Sequence, residues 1–289
     1  MSLKKIKSIF KITKNKSEAL KQARIGHYEL IAPSEHPIEY HLRDNKYYCL
    51  NLSRIAKYIE QKYQLYTIID IGANIGDTIA LFRTANVNQQ IFAVEGEPFY
   101  FDLLKRNVSQ FTNVKIFEAF LGEKTQMEEL SIEAIKGTAK LNTAKSKLTQ
   151  IIKLDDFISE HRIDNVKLLK IDTDGFDLKI LRGGLEFIKI SKPILFFEYD
   201  ASYLEEHGEN GVSIFENLHD LGYQKVLYYD NYGKFLISIS IDDTVSINQL
   251  YAYIRNGEGA FEYYDLCIFH KDDSELAGVV IKNEMDFFS

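Results

Sequence analysis

The sequence predicts a doubly wound α/β sheet, mostly parallel with a late antiparallel strand. Three observations predict it. From residue 67 onward, short apolar runs alternate with amphipathic stretches about every 20–30 residues, the period of strand–helix–strand units. The first run, "TIIDI" (67–71), passes into a glycine-bearing turn, "GANIG" (72–76), ahead of a helix. The second run, "QIFAVE" (90–95), closes on an acidic residue. In a sheet of this kind ligands gather at the carboxyl ends of the strands, where strand order reverses.

The elements follow in order. Residues 1–25 are basic: Lys4, Lys5, Lys7, Lys11, Lys14, Lys16, Lys21 and Arg24 stand against Glu18 alone. Ile6, Ile9, Phe10 and Ile12 add a short apolar stripe. A helix of this composition lies on an anionic membrane surface or stays solvated. Residues 1–65 are thus expected as a basic tail and a helical and strand appendage, with a strand near Tyr47–Asn51 and a helix over Ser53–Lys62 capped by Ser53. The main domain spans 66–272. It takes a helix at 76–85, the second strand at 90–95, a helix at 98–111 opened by Pro98 and a third strand at 113–121. Residues 124–153 hold short strands, including "TQIIKL" (149–154), before a helix at 154–161. The fourth strand is "VKLLKID" (166–172), one helix covers 176–189, and the fifth strand is "PILFFEYD" (193–200). A helix over 211–223 ends at Gly222, and late strands follow. Residues 240–262 are expected as a lid and 273–289 as a C-terminal tail.

Composition narrows the function classes. A net charge of −7 over 289 residues opposes nucleic acid as main ligand, since phosphate binding needs a cationic field. Cys49 and Cys267 are far apart in apolar contexts. They read as buried thiols of a reducing compartment, which gives a cytoplasmic or membrane-peripheral location. No apolar run reaches the roughly 18 residues of a transmembrane segment, and none reads as a signal peptide. The chain has 18 tyrosines, 19 phenylalanines and no tryptophan. Tyrosine faces suit a sugar-binding wall and equally an ordinary core with wet edges.

The turn after the first strand carries the chemistry. Gly72 and Gly76 permit unusual backbone angles and a close approach. The helix start beyond them offers backbone N–H groups to an anion or carboxylate. Glu95, at the end of the second strand, suits the two hydroxyls of a ribose. A dinucleotide fingerprint needs a glycine where Asn74 stands. The G-x-x-x-G spacing with a preceding aspartate instead suits S-adenosylmethionine, with Asp70 receiving its α-ammonium. Ala119 and Phe120, at the end of the third strand, lie where an adenine would rest. Asp172 and Asp174, beyond the fourth strand, are the candidates for a catalytic base and for orienting an acceptor; capping the next helix is the structural alternative for Asp172. Glu198 and His207 are further acceptor-side candidates. The preferred reading uses no metal. Asp172, Asp174 and Asp177, with Asp155 and Asp156, are the oxygen donors if Mg²⁺ assists deprotonation.

The motifs "DIGANIGD", "VEGEP" with "LLKRNV", "LDDF" and "LLKIDTDGFDLKILRGG" resemble the FkbM family of S-adenosylmethionine-dependent methyltransferases. The resemblance covers about 66–200, and more loosely extends to 271. It implies a class I methyltransferase, Rossmann-like fold and O-methylation of a hydroxyl, on a sugar, glycan precursor or other small molecule. The family usually has glutamates where Asp174 and Asp177 stand here, so each carboxylate reaches one methylene less. Two other readings stay open: an NAD(P)-dependent sugar oxidoreductase, and a non-catalytic nucleoside-binding module of a glycan assembly complex.

Overall fold

The computed structural model describes residues 19–130, 132–135, 138–141, 147–257 and 259–289. The basic stretch 1–18, with its expected membrane-facing stripe, lies outside the described residues. Eight strands form the central sheet. Read from one edge, they run Val114–Glu118, Gln90–Glu95, Thr67–Ile71, Val166–Ile171, Ile194–Tyr199, Tyr264–His270, Tyr223–Asp230 and Phe235–Ser240. The first five are parallel to one another. Tyr264–His270 then inserts antiparallel between the fifth strand and the Tyr223–Asp230 hairpin strand. The expected mixed sheet is therefore present, and the order reverses between Thr67–Ile71 and Val166–Ile171.

Strand alternation builds two cores. Ile69, Ile71, Leu169, Ile171, Leu195 and Phe197 face one way, against helices Leu154–His161, Asp177–Gly183, Leu185–Ser191 and Ser213–Asp220. Ile68, Leu168, Phe196 and Leu227 face the other way, against Leu50–Lys62, Asp77–Thr84, Pro98–Val108 and Ser274–Phe287. Both faces are covered, so the middle strands are apolar throughout rather than alternating. An N-terminal hairpin, Leu20–Ile25 with Tyr28–Pro33, closes a third cluster onto Ile75, Leu81, Tyr100 and Leu103.

Several elements depart from the sequence reading. No strand forms at Tyr47–Asn51: the helix begins at Leu50, and Cys49 precedes it in the left-handed region at φ 54°. Ser53 is therefore not a cap but a buried residue of the first turn. The 176–189 helix is two, Asp177–Gly183 and Leu185–Ser191, meeting at Gly184. A side chain at Gly183 would strike the backbone of Gly122 and Glu123, so Gly183 permits close packing on the Phe120–Gly122 strand, while Gly184 packs against the Leu154 side chain. The third strand stops at Glu118, and Phe120–Gly122 pairs instead with Lys147–Lys153 in a small separate sheet. Residues 240–262, expected as a lid, hold the helix Thr244–Arg255, whose Ile247 and Ile254 are buried in the main core. Residues 273–289, expected as a tail, hold a helix that buries Leu276, Ala277 and Val280 and pairs Glu284 with Arg54 at 2.7 Å.

The turn after the first strand admits no side chain at its first position. Gly72 has φ +76°, and a Cβ there would collide with the Asp172 carbonyl oxygen. Gly208 also has a positive φ, +67°, but a Cβ there meets nothing within 4 Å. Gly208→Ala should cost only the conformational strain, about 1–2 kcal/mol. Gly72→Ala should cost severalfold more, because two backbone segments must part. Urea denaturation of the two variants checks the ordering; equal losses would refute it.

Candidate active site

The carboxyl ends of the central strands converge on one rim, and the turn geometry there is tightly specified. Gly72 and Ala73 donate their N–H groups to the Val94 carbonyl at 2.9 and 3.0 Å, while Asp172 donates to the Ile71 carbonyl at 3.1 Å. Asn74 sits at φ 48°, and its backbone N–H donates to Glu95 Oε2 at 2.8 Å. Glu97 N–H donates to Glu95 Oε1 at 2.8 Å. Glu95 is thus held by both oxygens, each keeping a further lone pair. It is buried, which pushes its carboxyl up to about 7 against the opposing pull of those two N–H groups. The imidazole of His36, from the N-terminal appendage, stands 3.4 Å from Asn74 Oδ1.

A cavity opens over this turn. Gly72, Asn74, Glu95, Ala119 and Phe120 line it, together with Asp172 and Asp174. Seven of the expected site residues therefore share one space. Gly76 does not line it. It takes φ +87° at the start of helix Asp77–Thr84, and a Cβ there would lie 3.1 Å from Leu104, so its part is in packing.

Asp70 is a correction. The sequence reading gave it the cofactor ammonium. The structure makes it a fully buried residue within the first strand, directly opposite Lys170 on the fourth. Lys170 Nζ lies 2.9 Å from Asp70 Oδ1, 3.0 Å from the Gly72 carbonyl and 3.5 Å from Asp172 Oδ2. Burial pushes the Asp70 carboxyl up, and Lys170 opposes that. For Lys170, burial pulls the ammonium down, and the Asp70 and Asp172 carboxylates more than reverse it. The pair ties the glycine turn to the loop after the fourth strand. Lys170 was missed because it reads as one polar residue in an apolar run. Its signal was available: a lysine inside a buried strand needs a carboxylate, and Asp70 sits in the neighbouring run.

The loop after the fourth strand presents Asp172 with its side chain about half exposed, at 54%. Asp177 holds that loop from beneath. It is buried and accepts from Thr173 Oγ1 at 3.0 Å and from Gly175 N–H at 3.3 Å. Its role is to shape the loop. Asp174 follows at φ 49°, and His207 packs over Gly175 and Phe176, with ring centroids 4.9 Å apart for the Phe176 pair. Asp155 and Asp156 lie elsewhere, accepting from Phe187 N–H and Thr125 Oγ1. Among the described residues no group of three or more His, Cys, Asp or Glu side chains is placed to hold a metal ion.

A second, narrower cavity lies on the other side of Asp172. Lys170, Asp172 and Glu198 line it, as do Ser53, Asn231 and Asp265. Among the described residues Asp172 alone lines both cavities. Asp265 and the appendage residues carried no motif and were missed; only the fold brings them here.

The sheet order, the glycine turn and the glutamate ending the second strand define a class I methyltransferase. A family model for the methyltransferase FkbM domain matches residues 70–225, more than half of the chain. The chain belongs to this family of S-adenosylmethionine-dependent methyltransferases. Among solved structures it is similar to methyltransferase FkbM from Methylobacillus flagellatus KT, at 17% identity and a TM-score of 0.39, over 56% of this chain and 40% of that one. It is also similar to precorrin-6y C5,15-methyltransferase from Geobacter metallireducens GS-15, at 14% identity and a TM-score of 0.35, over 72% and 80% of the two chains. A third is N-methyltransferase NodS from Bradyrhizobium japonicum WM9, at 9% identity and a TM-score of 0.40, over 75% and 92%. Comparison with curated proteins gives no match. Among the described residues no helix is long and apolar enough to cross a membrane.

Proposed function

We propose that the protein is an O-methyltransferase that methylates a hydroxyl of a sugar or glycan precursor, with Asp172 receiving the acceptor. The observation that carries this reading is the position of Asp172 at the wall between two cavities. The first cavity fits the cofactor: Glu95 has lone pairs for a ribose diol, and Gly72 lines the cavity with no side chain to fill it. S-adenosylmethionine, when bound, supplies a methyl group already activated on a sulfonium.

The chain's own residues do the rest. Gly72, Asn74 and Glu95 fix the nucleoside side of the site, and Phe120 offers an aromatic wall beside Ala119. Asp172 orients the acceptor hydroxyl in a near-attack position. With the cofactor bound, the methyl–sulfur bond would break as the C–O bond forms, leaving S-adenosylhomocysteine, and the hydroxyl proton would pass to the Asp172 carboxylate and on to solvent through its exposed edge. Lys170 limits the directions this carboxylate can turn. Asp174, one loop position further on, lines the cofactor side. Its backbone lies in the left-handed region, which suits it to shaping the loop more than to taking the proton. A mainly cytoplasmic setting, with the basic N-terminus at a membrane surface, accords with the acidic body and basic first segment.

The cofactor reading is tested by calorimetry and thermal shift on the full chain. S-adenosylmethionine should bind and raise the melting point, and NAD should do neither. Affinity should fall as pH drops through about 7, because a protonated Glu95 loses one acceptor for the ribose hydroxyls. Glu95→Gln should weaken binding about tenfold to hundredfold, the range of a hydrogen bond to a charged group, and should flatten that pH dependence. Binding that is unaffected by the substitution, or a shift given by NAD instead, would overturn it.

A further inference from the structure

The second cavity has an unusual wall. Glu198 and Asp265 stand directly opposite each other on adjacent antiparallel strands. Like charges so placed repel and weaken a sheet, and here both are only partly exposed, with Asp172 lining the same space. Asn51 Nδ2 satisfies one oxygen of Asp265, at 3.0 Å. Among the described lining residues the only cation is Lys170, whose ammonium donates to the Gly72 carbonyl and lies 2.9 Å from Asp70 Oδ1 and 3.5 Å from Asp172 Oδ2. No positive charge remains to balance an anion.

A second, independent feature points to a ligand. Ser53 lines the cavity, is 5% exposed, and its hydroxyl oxygen has no hydrogen-bond partner among the described residues. Asn231 Oδ1, on the same wall, is likewise unpartnered. Buried polar atoms are normally paired, so both await groups supplied from outside. The wall brings three carboxylates together with the Ser53 hydroxyl and the Asn231 amide oxygen. A point metal ion does not fit it: such ions need several oxygens converging at about 2–2.6 Å, and no such group exists among the described residues.

We propose that this cavity is the acceptor site and takes an amino sugar or aminocyclitol, its ammonium between Glu198 and Asp265 and its reacting hydroxyl at Asp172. The inference rests on the methyltransferase reading of Asp172. The ring hydroxyls donate to Ser53 and Asn231. Ligands bearing phosphate or carboxylate are rejected, because three carboxylates meet them and no free cation does. The partial burial that raises the Glu198 and Asp265 carboxyls favours the same ligand, since an ammonium restores their charged forms.

The test uses the full chain saturated with S-adenosylhomocysteine, in the presence of a chelator, and measures binding of D-glucosamine, D-glucose and D-glucuronate by calorimetry and melting point. Glucosamine should bind about tenfold or more tighter than glucose, with glucuronate weakest. Glu198→Gln and Asp265→Asn should each narrow that preference. Equal or tighter binding of glucose or glucuronate, no binding by any of the three, or a preference that survives both substitutions overturns the proposal. If neither variant folds, the three-sugar comparison on the unaltered chain decides. The melting shift from S-adenosylhomocysteine alone is recorded first. Its absence strikes the methyltransferase reading, whereas its presence without an amine preference strikes only the acceptor assignment.

Discussion

Asp172→Asn should reduce methyl transfer by about 10²–10⁴-fold, the usual worth of general-base help, while leaving cofactor affinity within a few-fold. The substitution keeps the shape and one oxygen, so orientation of the hydroxyl largely survives and proton acceptance is lost. The loop should survive as well, since Asp177, through Thr173 and Gly175, holds it from below. The measurement is single-turnover methyl incorporation set beside calorimetric cofactor binding. Unchanged turnover would remove Asp172 from the chemistry. A loss of binding equal to the loss of rate would make it a structural residue. The Asp172–Lys170 separation of 3.5 Å adds a second-order expectation: the neutral variant should slightly loosen the hold on Lys170, without unfolding it, because Asp70 and the Gly72 carbonyl remain.

Lys170→Met should be strongly destabilising. It leaves Asp70 fully buried opposite an apolar side chain, with Asp77 and Asp172 nearby raising its carboxyl further. Breaking a buried pair by removing one partner costs about 3–5 kcal/mol. For a chain of this size that is a melting-point loss on the order of 10 °C. The sign of the pH dependence is fixed by the charge left behind. In the variant, the folded state takes up a proton at Asp70 more readily than the unfolded state does. Stability should therefore be highest at low pH and decline as pH rises through the shifted folded pKa. Lys170→Met combined with Asp70→Asn should recover much of the loss and abolish that dependence. Urea denaturation across pH measures both; a double variant no more stable than the single one would show that the pair is not the source.

The parts of the site legible in the sequence were those fixed by local chain geometry. Gly72 needs a positive φ and a bare Cα, and Glu95 ends a strand beside it; both facts follow from a strand-turn-helix pattern and a fixed spacing. The helix pair at 177–191 was not legible, because Gly183 and Gly184 read as defects tolerated in one helix. Their reason is tertiary: the backbone of Gly122, some 60 residues away in the chain, lies against Gly183, and the Leu154 side chain lies against Gly184. Asp70 was misread for a related cause. An aspartate before a glycine turn resembles a ligand, and only the register with Lys170 shows that its charge is already matched. Ser53 illustrates the same limit from the other side: a serine near a helix start looks like a cap until the helix is found to begin three residues earlier.

The two cavities differ in where their walls come from. Every named residue of the first lies within 70–225, the segment the family model matches. The second draws more than half of its lining from outside that segment, from the helix start near residue 50 and from the late strands around Asn231 and Asp265. On the proposed reading, the donor half of the enzyme is carried by the shared core and the acceptor half by its flanks. On that reading, kinship through the core transmits the reaction without transmitting the choice of substrate.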